Sequence, residues 1–301
     1  MPKSPVNSKV RAIFFTILAG VLWGTSFPII KIGLETIDPY AFVFWRFLVS
    51  ALVLTLVMFA FGKFRLGKMP DKKLLFFLGA VNAAGYLLQY VGMPYTSAAK
   101  AALFINLSAM WVAMMSPRLL GEYFSKKKVL GVAFGFVGII FVSTNLDLAS
   151  MSHGQFAGDL LLIISGISWA VFMVYNKKLV MTSTSETFQS MTWVLIFTFI
   201  SILPFTILAG PGFFAISGWA WAGIFWTAIV CWVIPYYLWL EGLKYLSSSV
   251  ASVLLLSEIV MACVLSIVVL QEPITVFSTI GAFLIVIAIA LVSVQDKKTA
   301  N

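Results

Sequence analysis

Ten stretches of mainly apolar residues occupy most of this 301-residue chain, each close to the roughly 20 residues that a helix needs to cross a bilayer. They run approximately over residues 11–32, 40–62, 72–92, 97–118, 128–145, 157–177, 187–209, 217–240, 247–270 and 274–294, separated by polar or Pro/Gly-rich breaks. Only 10% of the residues are charged, against about 25% in soluble domains, and mean hydropathy is +1.02. The expected fold class is an all-α membrane protein with ten transmembrane helices. Barrel strands would be about half as long and would alternate apolar with polar residues. The first run begins at Ala12, lacks a small-residue cleavage site and continues into TSFPIIK, so it reads as a retained helix.

The formal charge of +9 could suggest a nucleic-acid partner, but its distribution points to the bilayer instead. Of the 20 Lys and Arg, 17 lie at residues 1–11, 63–73, 118–128, 177–178, 244 and 297–298, all on one side of a ten-span chain. Lys31, Arg46 and Lys100 fall within or at the ends of spans, leaving the other side's loops with none. Loop bias of this kind orients the chain with both termini in the cytoplasm, in the cell membrane. The two cysteines, Cys231 and Cys263, sit inside spans, and His153 is the sole histidine. No disulfide framework, metal site or cofactor is expected from them.

The chain also repeats itself. Residues 92–143 align without gaps on 242–293 at an offset of 150, pairing Gly92 with Gly242, Tyr95 with Tyr245, Ser116 with Ser266, Glu122 with Glu272 and Gly131 with Gly281. A weaker echo at an offset of 146 pairs Trp23 with Trp169 and Lys31 with Lys177. With five spans in each half, the second half must enter the membrane from the opposite side. The expected architecture is therefore two inverted five-helix repeats, residues 1–145 and 157–301, joined by an external loop at 146–156. Inverted repeats around a midplane site are a plan used by secondary transporters.

WGTSFPIIK in the first run, WRF in the second, YTSAAKAALF opening the fourth, GE at its end, and the matching YLSSSVASVLLLSE with QEP resemble the EamA family of the drug/metabolite transporter superfamily. The resemblance spans essentially the whole chain. It implies ten helices around a central cavity and a small organic solute such as an amino acid, often exported. Where that family often carries a proline in the fourth helix and its repeat partner, this chain has Ala109 and Ile259, so neither position demands a helix break.

At 100° per residue the ninth run places Ser248, Ala251, Leu255, Glu258, Ala262 and Ser266 on one narrow face. Small residues there permit close helix approach or leave room for a cavity. Glu258 is the deepest intramembrane charge. An ionised side chain at a helix centre costs about 2.5–3.5 kcal/mol on insertion scales, so such groups usually line a cavity, pair or relay protons. Its symmetry mate is Ser108, without charge. Asn82, Tyr86 and Gln89 form a polar stripe on the third run, and Trp232, Tyr236 and Trp239 hold the corresponding positions on the eighth, where Pro235 should kink the helix. These six either line a cavity or bond and pack between helices. Lys100 and Arg46, near outer span ends, either pair with an acid or snorkel, and Lys31 is expected to snorkel. Trp23 and Trp169 complete the candidate set.

The expected activity is secondary-active transport of a small organic metabolite by alternating access, with export favoured by the resemblance and proton coupling open through Glu258, which exchanges a proton or anchors a substrate amine. A multidrug or nucleotide-derivative carrier of the same fold is the alternative. No nucleophile elbow, phosphate loop or His cluster supports an enzyme, and no soluble output domain supports a sensor. A monomer could suffice for a complete pathway.

Overall fold

The computed structural model describes residues 5–61, 71–121, 126–144, 153–182, 187–210, 212–246, 251 and 254–293. Most of the basic segment 63–73, the terminal tails, Glu122, Ser248 and most of the 146–156 loop lie outside these residues. Every regular element among the described residues is helical. In chain order they are α1 (Pro5–Gly24), α2 (Ser26–Gly33), α3 (Pro39–Ala60), α4 (Lys72–Gly92), α5 (Ala98–Asn106), α6 (Ser108–Leu119), α7 (Lys126–Thr144), α8 (His153–Thr182), α9 (Thr187–Ile202), α10 (Gly218–Phe225), α11 (Ile234–Leu243), α12 (Leu256–Leu270) and α13 (Val276–Ser293). A π-helical segment, Trp226–Val233, joins α10 to α11. Seven continuous helical stretches among the described residues are long and apolar enough to cross a membrane, and three shorter apolar helices cover Val129–Val142, Ser257–Leu270 and Val276–Ala288.

Several runs that read as single helices are broken. α1 gives way to α2 at Thr25, where Pro28 lacks the N–H that would bond Gly24 O. α5 gives way to α6 at Leu107, and α12 starts after a turn at Leu255. Both of these breaks occur without proline. Asn106 Nδ2 donates to Ala102 O at 3.0 Å, and Ser257 Oγ donates to Leu254 O at 2.9 Å. Side chains of this kind compete with the helix ladder for backbone partners. The backbone answers with tight i−3 bonds, Met110 N to Leu107 O and Glu258 N to Leu255 O, both 2.9 Å.

The helices pack reciprocally. α4 lies on α8, and α11 lies on α1; α5 lies on α8, and α12 lies on α1. The closest approaches repeat at the offsets seen in the sequence. A Cβ on Gly20 would meet Leu255 O at 3.3 Å, and one on Gly166 would meet Ile105 O at 3.2 Å. Gly92 similarly abuts Gly158 O at 3.0 Å, and Gly242 abuts Ala12 O at 3.3 Å. Lys31 Nζ donates to the carbonyls of Met93, Pro94 and Thr96 (2.9, 3.2 and 2.6 Å), and Lys177 Nζ donates to those of Leu243 and Leu246 (2.9 and 3.1 Å). The expected snorkelling of Lys31 is thus corrected. Its ammonium binds carbonyls of the turn that follows α4, near the helix C-terminus where the dipole favours a cation.

Large apolar side chains point outward where lipid would meet them. On α12, Val260, Val264, Ile267 and Val268 are exposed, while Ala262 and Ser266 are buried. The small-residue face expected from the sequence therefore faces inward.

Candidate functional site

The three helix breaks meet around one cavity. It holds about 540 Å³ of empty space, part of it open to solvent, and is lined by Trp23, Ser26, Phe27, Tyr86, Gln89, Ile105, Asn106, Ser108, Trp169, Phe172, Met173, Trp239 and Glu258. Each break supplies residues directly. Ser26 follows Thr25, Asn106 and Ser108 flank Leu107, and Glu258 follows Leu255 in the first turn of α12. Glu258 is half-buried, with the Asn106 side chain beside its carboxyl.

Most of the remaining wall is aromatic, with Gln89, Ile105 and Met173 between the rings. Tyr86 meets Trp169 edge-on at 5.0 Å between centroids, Trp169 meets Phe172 at 5.5 Å, Phe172 stacks with Trp239 at 6.5 Å, and Trp239 meets Trp23 at 6.1 Å. The Nε1 groups of Trp23 and Trp169 are buried without a hydrogen-bond partner. Apolar walls with a few convergent polar groups match the usual make-up of small-molecule sites.

Of the residues singled out from sequence, Glu258, Ser108, Tyr86, Gln89, Trp239, Trp23 and Trp169 line this cavity. The other five do not. Asn82, one turn before Tyr86 on α4, donates from Nδ2 to Thr198 Oγ1 at 3.0 Å and ties α4 to α9. Tyr236 donates to Asn176 Oδ1 at 2.8 Å. Trp232 is buried against Tyr236 and Phe47 at 4.4 and 5.8 Å, because the π-helical turn alters the angular spacing that a 3.6-residue helix would keep. Lys100 lies within electrostatic range of the buried Asp159 of α8.

Arg46 is the fifth. It is 1% exposed and, among the described residues, makes no ion pair with a carboxylate. Nη1 donates to Tyr90 Oη at 2.7 Å, and Nη2 donates to Tyr86 Oη and Cys231 O, both at 3.3 Å. Its Cζ lies 4.4 Å from the centroid of the Tyr86 ring, within cation–π range. The Cys231 carbonyl is the one that a helical N–H at position 235 would have engaged, and Pro235 has none. Pro235, where the sequence leads one to expect a kink, lies in the first turn of α11 directly after the π-helical segment.

Sequence reasoning missed Ser26, Phe27, Ile105, Asn106, Phe172 and Met173. Asn106 carried the clearest available signal, an amide inside an apolar run two residues from Ser108.

A helical bundle of this kind, broken around a central cavity, defines a polytopic membrane transporter, and the sequence places it more narrowly. The profile of the EamA-like transporter family matches residues 10–144 and again 156–294, so the chain belongs to that family and is a transporter, not an enzyme. It is 27% identical over 298 residues to an uncharacterized transporter of Archaeoglobus fulgidus, covering 97% of this chain and 99% of that one. It is 26% identical over 280 residues to the uncharacterized transporter YyaM of Bacillus subtilis, covering 91% and 90%. A crystal structure at 18% identity superposes with a TM-score of 0.68 over 94% of this chain and 97% of the other, a likeness of fold.

Proposed function

We propose that this protein is a secondary-active transporter of the cytoplasmic membrane that carries small organic metabolites, amino acids among them, by alternating access, with export as the favoured direction. Ten helices span the bilayer with both termini in the cytoplasm, the fifth, ninth and tenth being the three shorter apolar helices extended by flanking residues. Residues 1–145 and 157–301 are two inverted halves joined by 146–156, and one copy suffices for a pathway. Glu258 exchanges a proton or anchors a substrate amine; no further cofactor is involved.

The observation that carries this proposal is the coincidence of the cavity with breaks contributed by both halves, framed by reciprocal contacts. Carbonyls freed at such breaks and close small-residue crossings let two packed halves rock around a fixed site. The test is solute counterflow in proteoliposomes. Purified protein should accelerate exchange of a labelled solute without ATP, and Glu258→Gln should cut that exchange by more than tenfold. Full exchange with unchanged pH dependence would remove Glu258 from the mechanism.

A further inference from the structure

We propose that the cavity selects solutes by a single positive charge, taking organic monocations such as protonated aralkylamines, with the Glu258 carboxylate as counter-charge and the aromatic wall as a cage. The proposal rests on the transporter reading of the same cavity and narrows its substrate class.

Three features converge on it. The first is charge. Glu258 is the only carboxylate, and there is no Lys, Arg or His, among the described cavity-lining residues, whose remaining polar groups are amides, a phenol, hydroxyls and indoles. A carboxyl at the wall of an apolar cavity gains most by ionising when a solute brings the opposite charge beside it. The converse case would need a cation, and the buried guanidinium on this side is Arg46. It stands behind the Tyr86 ring, with its terminal nitrogens given to Tyr90, Tyr86 and Cys231 O, and it does not line the cavity. A solute carboxylate would therefore meet Glu258 before any counter-charge.

The second feature is the wall. Tyr86, Trp169, Phe172, Trp239 and Trp23 form an unbroken chain of ring contacts. Faces of Trp and Tyr attract alkylammonium groups, and enclosure strengthens that attraction. A bare metal ion would instead need several hard ligands, and no group of three His, Cys, Asp or Glu that could hold one occurs among the described residues.

The third feature is symmetry. Trp23 and Trp169 are repeat mates, both line the cavity, and both carry a buried indole N–H without a partner. The aromatic donors are thus duplicated across the two halves, whereas the charge, Glu258 facing Ser108, is not. The cavity distinguishes the charged end of a solute from its remainder.

The experiment uses four solutes that share one phenyl ring and a short chain: 2-phenylethylamine (cation), phenylalanine (zwitterion), 3-phenylpropanoate (anion) and 2-phenylethanol (neutral). Each is titrated against the purified full-length protein in detergent, reading quenching of tryptophan fluorescence. Expected is at least tenfold tighter binding of 2-phenylethylamine than of 3-phenylpropanoate or 2-phenylethanol, with Glu258→Gln reducing that preference to within about threefold. Equal or tighter binding of 3-phenylpropanoate, phenylalanine binding more than tenfold tighter than the amine, or survival of the amine preference in Glu258→Gln would each overturn the proposal. Should the variant fail to fold, the wild-type ranking decides alone. Because binding is read without a bilayer or gradient, the two failures separate. Loss of counterflow with the ranking intact defeats transport, and counterflow with an anion preference defeats this inference.

Discussion

Arg46 and Glu258 are both charged side chains set deep among apolar helices, yet their surroundings differ in kind. Arg46 is sealed, with two tyrosine hydroxyls, one backbone carbonyl and an aromatic face around its guanidinium, and only Nε without a partner among the described residues. Glu258 is half-buried at a cavity wall with the Asn106 amide beside it. A charge whose hydrogen-bonding capacity is used inside the protein holds helices together, and one left with spare capacity beside a cavity is available to a solute. Depth alone does not separate the two roles; access to the cavity does.

The largest effect that would break this contrast belongs to Glu258. Glu258→Gln keeps size and shape, so the melting temperature should stay within about 2 °C of wild type while counterflow falls more than tenfold, measured in parallel by thermal unfolding and proteoliposome assay. Arg46→Gln should do the opposite. Loss of charged hydrogen bonds among buried partners costs about 1–3 kcal/mol, seen as a clear fall in melting temperature, with transport per folded molecule changed less than threefold. If Arg46→Gln abolished transport at unchanged stability, the distinction would collapse.

Smaller effects sharpen it. Lys31→Met and Lys177→Met each strip an ammonium from helix-terminal carbonyls, worth roughly 0.5–1.5 kcal/mol apiece, and matched losses in thermal unfolding would give the reciprocity energetic meaning. Pro235→Ala, the mildest, returns an N–H to the carbonyl that Arg46 uses. Alone it should shift stability by less than about 1 kcal/mol. Combined with Arg46→Gln it should recover part of that variant's loss, a coupling readable in a double-mutant cycle.

Much of this architecture was legible because bilayer physics writes strong signals. Run lengths gave the positions of the helices, and the offsets of 146 and 150 reappear as the paired contacts of Gly20 with Gly166 and Lys31 with Lys177. The breaks at Leu107 and Leu255 were not legible, since no proline marks them and their tight turns depend on neighbouring side chains and packing. Asn82 and Trp232 misled for related reasons. A helical stripe gives angle but not depth, so nothing local showed that Asn82 meets Thr198, and the π-helical turn upset the spacing around Trp232. Phe172 and Met173 carried no signal that separates a cavity wall from ordinary packing.

The Arg46 cluster also bears on the order of assembly. Synthesis proceeds from the amino end, so the guanidinium enters the bilayer when only α4 of its partner helices can follow soon after, bringing Tyr86 and Tyr90. Cys231 O, made available by Pro235, arrives several helices later. The early pair therefore lacks one acceptor until the helical stretch Gly218–Leu243 docks and completes the cluster. Ribosomes stalled before and after that span should yield, respectively, an α3–α4 pair open to solvent-borne protease and one that is closed.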